Sequence, residues 1–318
     1  MHKRLPEFIG VGPPRTATTW LHEVLSGHVG LPRGVKETQF FDRHYGRGLD
    51  WYSRHFRDCP PNLPCGEFSP TYFASAEART RIAGDLPNCK IIITLRDPVE
   101  RFYSHYRLLR REGWLRDETL EQAIARHLRN PTGPGNMFYV NRYAEHVRAW
   151  QSAMRAGNVR VMLCDDLQAD PQSFIARICS FLEIPEIDLS RIPAARQRIN
   201  AISLAPKSRR LAKLARRLIA TLRSRRFYRL VNSWDRTWLW RLIFESGKQF
   251  DEMTPAQEAD LRERFRPEIE QLEVIIRRDL SKWKAQSATG ASGHEGGPSL
   301  EPSECGNDKF RRARISMT

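Results

Sequence analysis

The stretch Phe8–Leu25, FIGVGPPRTATTWLHEVL, runs from an apolar segment through glycine and proline into a helical pattern. The apolar segment predicts a short buried strand, and the last part predicts a helix from about Thr16 to Ser26. A turn between a strand and a helix can hold a phosphate group at the helix N-terminus. The lysine and adjoining serine or threonine of a nucleoside triphosphatase loop are absent. The stretch therefore predicts an anion site and leaves the identity of the anion open.

The backbone donors of this turn begin at Arg15, because Pro13 and Pro14 carry no N–H. From Arg15 to Thr19, free N–H groups and the positive end of the helix dipole favour a bound anion. Arg15 adds a fixed charge, and three hydroxyls add further donors, those of Thr16, Thr18 and Thr19. For this loop taken alone, an N-capped turn without a ligand is the alternative.

Strand and helix patterns alternate further along the chain. The run KIIITLR, Lys90–Arg96, predicts a central parallel strand that is covered on both faces. The next helix is expected to begin with Asp97 as N-cap and Pro98 as first residue, with Glu100 three residues after the cap. A second strand, VRVMLC (Val159–Cys164), again precedes a helical pattern. This alternation predicts an α/β domain with a parallel sheet.

Arg96 stands at the carboxyl end of its strand, and Ser104 lies two turns into the next helix. Ligands of parallel sheets bind at the carboxyl ends of the strands, so we expect both residues in the same crevice as the Arg15 loop. A salt bridge at the strand end is the alternative for Arg96 alone. Two anion-binding elements on neighbouring strands predict a ligand with two separated phosphates.

The composition is that of a globular protein of 318 residues, 40% of them apolar and 28% charged. No run approaches the roughly 20 apolar residues of a membrane-spanning helix, and the N-terminus shows no export signal. Six cysteines are scattered without a paired zinc motif, which favours a reduced, cytoplasmic setting. A local bridge between Cys59 and Cys65 is the alternative.

Most of the net charge of +15 comes from one segment. Between Leu189 and Trp234 there are 13 Lys or Arg residues and no Asp or Glu, while the rest of the chain has 39 basic and 37 acidic residues. Helical patterns lie near 208–223 and 234–244. Three interpretations stay open: a helix packed on the core with a solvated basic rim, peripheral contact of 208–244 with an anionic membrane at its inner face, and recruitment of an anionic acceptor.

The predicted organisation is one domain over residues 1–285, with a basic helical insertion at about 205–245. Residues 286–318 are rich in Gly, Ser, Glu and Pro and are predicted to be a disordered tail. Before the tail, Thr254 and Pro255 begin a helix pair, or a kinked helix, that is broken at Pro267.

Five motifs occur in the order PRTATTWL, KETQFFD, GLDWYSRHF, SPTYF and KIIITLRDPVERFYSHY. Together they resemble the sulfotransferases that use 3′-phosphoadenosine 5′-phosphosulfate (PAPS), above all the bacterial members and the heparan-sulfate N- and 3-O-sulfotransferase branch. The resemblance covers about Phe8–Leu182 and resumes weakly at Met253–Trp283. It implies a P-loop-like three-layer α/β fold, in which helices flank a central parallel sheet.

The resemblance also implies a set of donor-binding residues. The 5′-phosphosulfate would lie in the loop formed by Arg15, Thr16, Ala17, Thr18, Thr19 and Trp20. Arg96 and Ser104, eight residues apart as in the family, would bind the 3′-phosphate, and Arg198 lies where relatives close a loop over it. The product would be adenosine 3′,5′-bisphosphate, and no metal ion is expected.

By the same resemblance, Glu37 in KETQFFD would be the general base. Lys36 would hold Glu37 ionised or contact the 5′-phosphosulfate. Asp42 would orient the acceptor, together with Gln39, which stands where 3-O-sulfating members often have His. The loop position that usually holds Lys is Arg15, and a planar guanidinium differs from a lysine point charge. Arg15 is still expected to be catalytic, by stabilising the charge that develops on the leaving phosphate.

The expected function is sulfuryl transfer to a hydroxyl, or second to an amine, of a carbohydrate, glycolipid or other small acceptor. An ATP- and magnesium-dependent small-molecule kinase is the enzymatic alternative, and a relative that binds without catalysis because of Arg15 is another. A nucleic-acid- or polyanion-binding protein is the alternative from a different class. No aromatic-basic or recognition-helix motif accompanies the basic segment, so no nucleic-acid partner is expected.

Overall fold

The computed structural model describes residues 4–115, 118–130, 132, 133, 135–196 and 252–285, together with the isolated positions 208, 211, 214, 215, 218 and 250. Arg198, the predicted tail at 286–318 and most of the predicted insertion at 205–245 lie outside these residues. The described residues belong to one unit, Met1–Gln286.

Strands of the described residues form a four-stranded sheet in which every neighbouring pair is parallel. The strands are β1 Phe8–Gly10, β2 Gly66–Phe68, β3 Lys90–Leu95 and β4 Val159–Leu163, in the order β2-β1-β3-β4. In the register, Ile9 of β1 lies opposite Ile91 of β3 on one side and Glu67 of β2 on the other. The parallel sheet predicted from the alternating patterns is thereby confirmed.

Helices follow the strands in the alternating manner of an α/β fold. Their bounds are α1 Thr18–Leu25, α2 Gly48–Ser53, α3 Ala76–Asp85, α4 Pro98–Arg111, α5 Leu120–Arg129, α6 Met137–Val140, α7 Tyr143–Ala153, α8 Cys164–Ala169, α9 Pro171–Leu182, α10 Pro255–Ile276 and α11 Ser281–Lys284. The loop after β1 therefore leads into α1, and the loop after β3 leads into α4.

Apolar side chains cover both faces of the sheet. Ile91 and Ile93 of β3 join a cluster that includes Trp150 of α7, while Ile92 between them joins a second cluster with Leu21 of α1 and Ile178 of α9. Successive side chains of a strand point to opposite faces, so the all-apolar run is explained by burial on both sides. The result is the expected three-layer arrangement of helices, sheet and helices.

The N-terminus of α4 is capped as the sequence predicts. One Asp97 carboxylate oxygen accepts from the backbone N–H of Val99 at 2.8 Å and of Glu100 at 3.2 Å. The Glu100 carboxylate pairs with Arg96, one turn back, at 2.8 Å. Asp97 thus fixes the start of α4 immediately after the strand end that carries Arg96.

Of the two forms predicted around Pro267, a helix pair or a kinked helix, the helix pair is not found. One helix, α10, runs through Pro267 from Pro255 to Ile276. Proline removes a single backbone donor inside a helix, and the apolar face of α10 is buried on both sides of it, at Leu261, Phe265, Ile269 and Leu272. Packing therefore keeps the helix continuous where the local rule predicts a break.

The cysteines that the structure describes are buried free thiols, so the bridge considered between Cys59 and Cys65 is not formed. Burial raises the pKa of both thiols, that of Cys65 to about 11. Within the described ranges, no helix has the length and apolar character needed to cross a membrane.

Candidate active site

The turn between β1 and α1 has an unusual backbone. Arg15 has φ 79° and Ala17 has φ 61°, values that residues other than glycine adopt rarely. Ala17 is the N-cap of α1, and no side chain caps the first N–H groups of that helix. Uncapped N–H groups at a helix N-terminus form an anion site together with the helix dipole. The turn therefore has the backbone of an anion-binding loop.

Thr94 of β3 holds this loop against the sheet by a hydrogen bond between the Thr94 and Thr16 hydroxyls. The buried Thr16 hydroxyl donates to the Pro13 carbonyl at 2.7 Å and lies 2.9 Å from the Thr94 hydroxyl. Gly12 passes so close that a Cβ there would lie 2.2 Å from Thr94 Oγ1. The Thr16 hydroxyl thus holds the loop in shape, whereas the sequence suggested that it would face the anion.

Lys36 and Glu37 lie beside the other two threonines of the loop. The Lys36 ammonium donates to Thr19 Oγ1 at 3.0 Å and to Thr18 Oγ1 at 3.4 Å, and it lies 3.5 Å from Glu37 Oε1. Burial lowers the pKa of Lys36, although Glu37 opposes that shift. The fold therefore brings the predicted base and its neighbouring lysine to the first turn of α1.

Arg15 and Ser104 are in direct contact. Arg15 Nε donates to Ser104 Oγ at 2.8 Å, which joins the loop after β1 to α4. Arg96 at the end of β3 pairs with Glu100 through Nε at 2.9 Å, so the strand-end salt bridge considered from the sequence is present. The Arg96 side chain is 30% exposed and that of Glu100 is 50% exposed.

The crevice between the two elements is rich in positive charge. Burial, together with the charges of Arg111, Arg96 and Arg107, lowers the pKa of Arg15 to about 10. Arg107 and Arg111 lie one and two turns beyond Ser104 on α4. Cations that lie this close repel one another, so a bound anion is favoured because its charge relieves that repulsion. Arg107 and Arg111 were not identified as site residues from the sequence.

Three other predicted site residues have distinct surroundings. The Trp20 indole is buried against Phe174, with 6.1 Å between ring centroids, and its N–H donates to the Ala195 carbonyl at 3.3 Å. Gln39 has φ 50° and begins the short π-helix Phe40–His44, which carries Asp42. Gln39 and Asp42 therefore follow Glu37 on one loop.

Sequence reasoning missed Glu67 of β2, which is completely buried. Its carboxylate accepts hydrogen bonds from the loop after Glu37, including the backbone N–H of Thr38 at 3.2 Å. The signal in the sequence was a charged residue between Gly66 and Phe68 in a short apolar stretch. Since an ionisable side chain is rarely buried without partners, such a residue indicates a hydrogen-bonded carboxylate in the core.

Within the part of the chain that the structure describes, no group of three or more His, Cys, Asp or Glu side chains could hold a metal ion. The polar groups that converge at the carboxyl ends of β1 and β3 are instead cations, hydroxyls and backbone N–H groups, with Glu37 beside them. This chemistry suits a ligand with separated anionic groups.

Comparison with known proteins supports the same interpretation of the site. Residues 5–192 match the family described as sulfotransferase domain, which is more than half of the chain. The human bifunctional heparan sulfate N-deacetylase/N-sulfotransferase 2 is 32% identical over 197 residues, covering 57% of this chain and 22% of that protein. The mouse heparan sulfate glucosamine 3-O-sulfotransferase 3B1 is 30% identical over 196 residues, covering 58% of this chain and 48% of that protein.

A solved structure supports the fold. The crystal structure of a sulfotransferase from Alicyclobacillus acidocaldarius aligns with a TM-score of 0.63 at 22% identity, covering 89% of this chain and all of the other. The chain spans about a fifth to a half of the length of the two curated relatives. The match to the family, the three-layer parallel fold and the anion-binding crevice agree, and the chain belongs to the sulfotransferase family.

Proposed function

We propose that this protein transfers a sulfuryl group from PAPS to a hydroxyl or an amine of a glycan or small-molecule acceptor. The observation that carries the proposal is the Arg15–Ser104 hydrogen bond, which joins two anion-binding elements into one crevice. A donor with a 5′-phosphosulfate and a 3′-phosphate has two anionic ends to match them. The names of the relatives include both an N-sulfotransferase and a 3-O-sulfotransferase, which supports both acceptor atoms.

The residues of the crevice fit such a donor. The N–H groups of the first turn of α1 and the Arg15 guanidinium would hold the 5′-phosphosulfate. Arg96 and the Ser104 hydroxyl would hold the 3′-phosphate. The ion pair of Arg96 with Glu100 is partly exposed and such pairs are worth little in water, so Arg96 can exchange it for a phosphate.

Glu37 is proposed as the general base. The donor supplies an activated sulfuryl group, whose bond to the 5′-phosphate oxygen breaks as the acceptor oxygen or nitrogen bonds to sulfur. The acceptor proton goes to Glu37, and the leaving phosphate oxygen keeps the electron pair of the broken bond. A base of this kind contributes about 10²–10⁴-fold, and charge stabilisation of the leaving oxygen supplies much of the rest.

Lys36 is proposed to stabilise that leaving oxygen. Its ammonium lies 3.0 Å from Thr19 Oγ1, at the N-terminal turn of α1 where the phosphosulfate is expected. Lys36 would thus supply the lysine point charge that position 15 lacks. Arg15 is turned toward Ser104 and would hold the donor in place. On the other side of Glu37, Gln39 and Asp42 are proposed to contact the acceptor.

Calorimetric titration with adenosine 3′,5′-bisphosphate, compared with ATP plus and minus magnesium, tests the donor site. We expect the bisphosphate to bind without metal and this binding to be weakened in Arg96→Ala. A preference for ATP with magnesium would establish the kinase alternative. Transfer of label from [³⁵S]PAPS to N-desulfated heparan sulfate then tests turnover, and absence of transfer to this and to a panel of small hydroxyl and amine acceptors would contradict the enzymatic proposal.

For the basic segment we propose contact with an anionic membrane surface on its cytoplasmic side. Leu211, Leu214 and Leu218 are helical, spaced to share one face, and 48%, 64% and 51% exposed. The sequence around them is basic and lacks acidic residues. Exposed leucines beside basic residues suit a lipid surface, whereas a polyanionic glycan offers no apolar layer to receive them.

Sedimentation with vesicles tests this contact. We expect binding to phosphatidylserine-containing vesicles and not to phosphatidylcholine vesicles, with loss of binding at high salt. Replacing the three leucines by serine should remove it. Val274→Ser is the matched control, since Val274 is 77% exposed on α10. Salt-sensitive binding to heparin that does not depend on the leucines would indicate glycan recruitment instead.

A further inference from the structure

The carboxylate of Glu67 is completely buried in β2, where it is surrounded by hydrogen-bond donors. Oε1 accepts from the Tyr52 hydroxyl at 2.8 Å and from the Tyr72 hydroxyl at 3.2 Å. Oε2 accepts from the Thr38 backbone N–H at 3.2 Å and from the Ser69 hydroxyl at 3.3 Å. Two donors on each oxygen offset part of the loss of water, although burial still raises the pKa of Glu67 above its usual range.

This network continues into the backbone that follows Glu37. The Thr38 hydroxyl accepts from the backbone N–H of Phe40 at 3.3 Å, and the Tyr72 hydroxyl accepts from the backbone N–H of Phe41 at 3.2 Å. Three backbone N–H groups in four residues are therefore fixed, directly or through one side chain, by the Glu67 network. The loop that carries the proposed base is tied to the sheet at its C-terminal side.

Strand β2 also positions the loop that carries Glu37 relative to the loop after β1, which is proposed to bind the phosphosulfate and is called the phosphate-binding loop. Glu67 lies opposite Ile9 in the parallel pair of β2 and β1, and β1 runs directly into the phosphate-binding loop. At the other end, the Lys36 ammonium contacts Thr19 Oγ1. The backbone of Lys36 and Glu37 is thus held between two fixed points, the Glu67 carboxylate and the start of α1.

We propose that Glu67 is a positioning residue for sulfuryl transfer, which holds Glu37 and Lys36 in register with the donor site through the Thr38 amide. The proposal rests on the proposed function, since it assigns the purpose of the network to that reaction. Glu67 itself is sealed from the crevice and contacts no reacting group. Its effect is geometric: a displacement of about 1 Å in a reacting group can lower a rate about a hundredfold.

Glu67→Gln is the direct test, because glutamine keeps the volume and replaces one acceptor oxygen by an NH₂ donor. Glutamine either turns its NH₂ toward the Thr38 N–H, which then has no acceptor, or turns it toward the Tyr52 and Tyr72 hydroxyls, which must then accept instead of donate. Either orientation weakens the network. Glu268→Gln is the matched control, since Glu268 is a half-buried carboxylate that accepts the Ala144 backbone N–H at 3.1 Å in the α7–α10 contact. Tyr52→Phe removes one donor and keeps the carboxylate.

Three measurements are compared. They are kcat with [³⁵S]PAPS and N-desulfated heparan sulfate, Kd for adenosine 3′,5′-bisphosphate, and hydrogen exchange of the backbone amides of residues 38–41. For Glu67→Gln we expect kcat to fall about ten- to a hundredfold, Kd to stay within about twofold of wild type, and exchange at 38–41 to accelerate. Tyr52→Phe should show smaller changes in the same direction. Glu268→Gln should change none of the three.

An unchanged kcat in Glu67→Gln, or unchanged exchange at 38–41, would overturn the proposal. An equal loss of bisphosphate binding would show a general structural role and would also overturn it. If Glu67→Gln does not fold, wild-type kcat in folded Tyr52→Phe would be the contradicting result. Failure of the wild type to bind the bisphosphate would refute the proposed function instead. The exchange experiment needs no donor, so it tests the role of Glu67 independently. Failure of the positioning proposal can therefore be distinguished from failure of the proposed function.

Discussion

Arg15 donates from Nε to the Ser104 hydroxyl at 2.8 Å, across 89 positions of sequence. The hydroxyl oxygen accepts this bond, so its own proton is available to a third group. A phosphate near Ser104 would therefore receive a hydrogen bond from a hydroxyl that Arg15 has already oriented. The contact also directs the guanidinium of Arg15 toward α4, while the Lys36 ammonium lies against Thr19 Oγ1 in the first turn of α1.

The first prediction separates the two 3′-phosphate ligands. A hydrogen bond to a charged group is worth about 1.5–3 kcal/mol. Arg96→Ala removes such a bond together with a positive charge, so we expect it to weaken bisphosphate binding more than Ser104→Ala, which removes one bond from a neutral hydroxyl. Calorimetry on both variants measures the difference. Arg148→Ala, an exposed arginine of α7 that bonds Gln271, is the control and should bind as wild type. Wild-type affinity in Arg96→Ala would place the 3′-phosphate elsewhere.

The second prediction concerns the base. Glu37→Gln should lower kcat about 10²–10⁴-fold and leave bisphosphate affinity within about twofold, because the amide keeps the shape of the carboxylate and cannot take the proton. Steady-state transfer from [³⁵S]PAPS and calorimetry give the two values. Glu121→Gln, on the exposed face of α5, is the matched control. A Glu37→Gln variant with wild-type kcat would assign the proton to another group.

The main parts of the fold could be predicted because their signals are local. The largely apolar β3, the Asp97 cap and the strand–turn–helix at Phe8–Leu25 each depend on neighbouring residues. The edge strand β2 has only three residues and a glutamate at its centre, so no periodic pattern marks it. Likewise α10 passes through Pro267 because of tertiary packing, which the local rule for proline does not include.

The residues of the candidate site also fall into two groups, those that local sequence identifies and those that depend on the folded structure. Arg15, Arg96 and Ser104 were identifiable from strand ends and loop composition, and they do converge. The inward direction of the Thr16 hydroxyl depends on the left-handed φ values of Arg15 and Ala17, which residue type does not reveal. The contact of Lys36 with α1 joins two segments through the fold, so sequence spacing could not place it.

The third prediction is a pH dependence of kcat. Lys36 must be protonated to stabilise a leaving oxygen, and burial lowers its pKa, with Glu37 acting in the opposite direction. Since a lowered pKa means that the cation is lost earlier as pH rises, kcat should decline at a pH below that of an ordinary lysine. The measurement is a kcat–pH profile of wild type and Lys36→Arg.

Lys36→Arg should lose the alkaline decline, because arginine stays charged throughout the range, although its maximal rate is expected to be lower. Lys90→Arg is the control: Lys90 pairs with Glu183 at the opposite end of β3 and should keep the wild-type profile. An unchanged alkaline limb in Lys36→Arg would show that a different group sets it.

The fourth prediction concerns the approach of Gly12 to β3. In Gly12→Ala the new Cβ would lie 2.8 Å from both the backbone N and O of Thr94, and backbone atoms cannot turn aside as a side chain can. We expect a loss of about 1–3 kcal/mol in the free energy of unfolding and weaker bisphosphate binding. Gly84→Ala in α3, where a Cβ meets nothing within 4 Å, should be neutral or stabilising in the same denaturant titration.

The last prediction is a gain in stability at Ala17, the N-cap of α1, whose φ is 61°. A residue with a Cβ loses about 1–2 kcal/mol in the left-handed region, while glycine there brings a larger entropy loss on folding, of about 0.5–1 kcal/mol. Ala17→Gly should therefore raise the free energy of unfolding by roughly 0.5–1 kcal/mol, as measured by urea denaturation. Ala83→Gly, inside α3, involves no strain to relieve and should lower it by about 0.5–1 kcal/mol. If Ala17→Gly destabilised the protein as much as Ala83→Gly does, the left-handed conformation at the start of α1 would be contradicted.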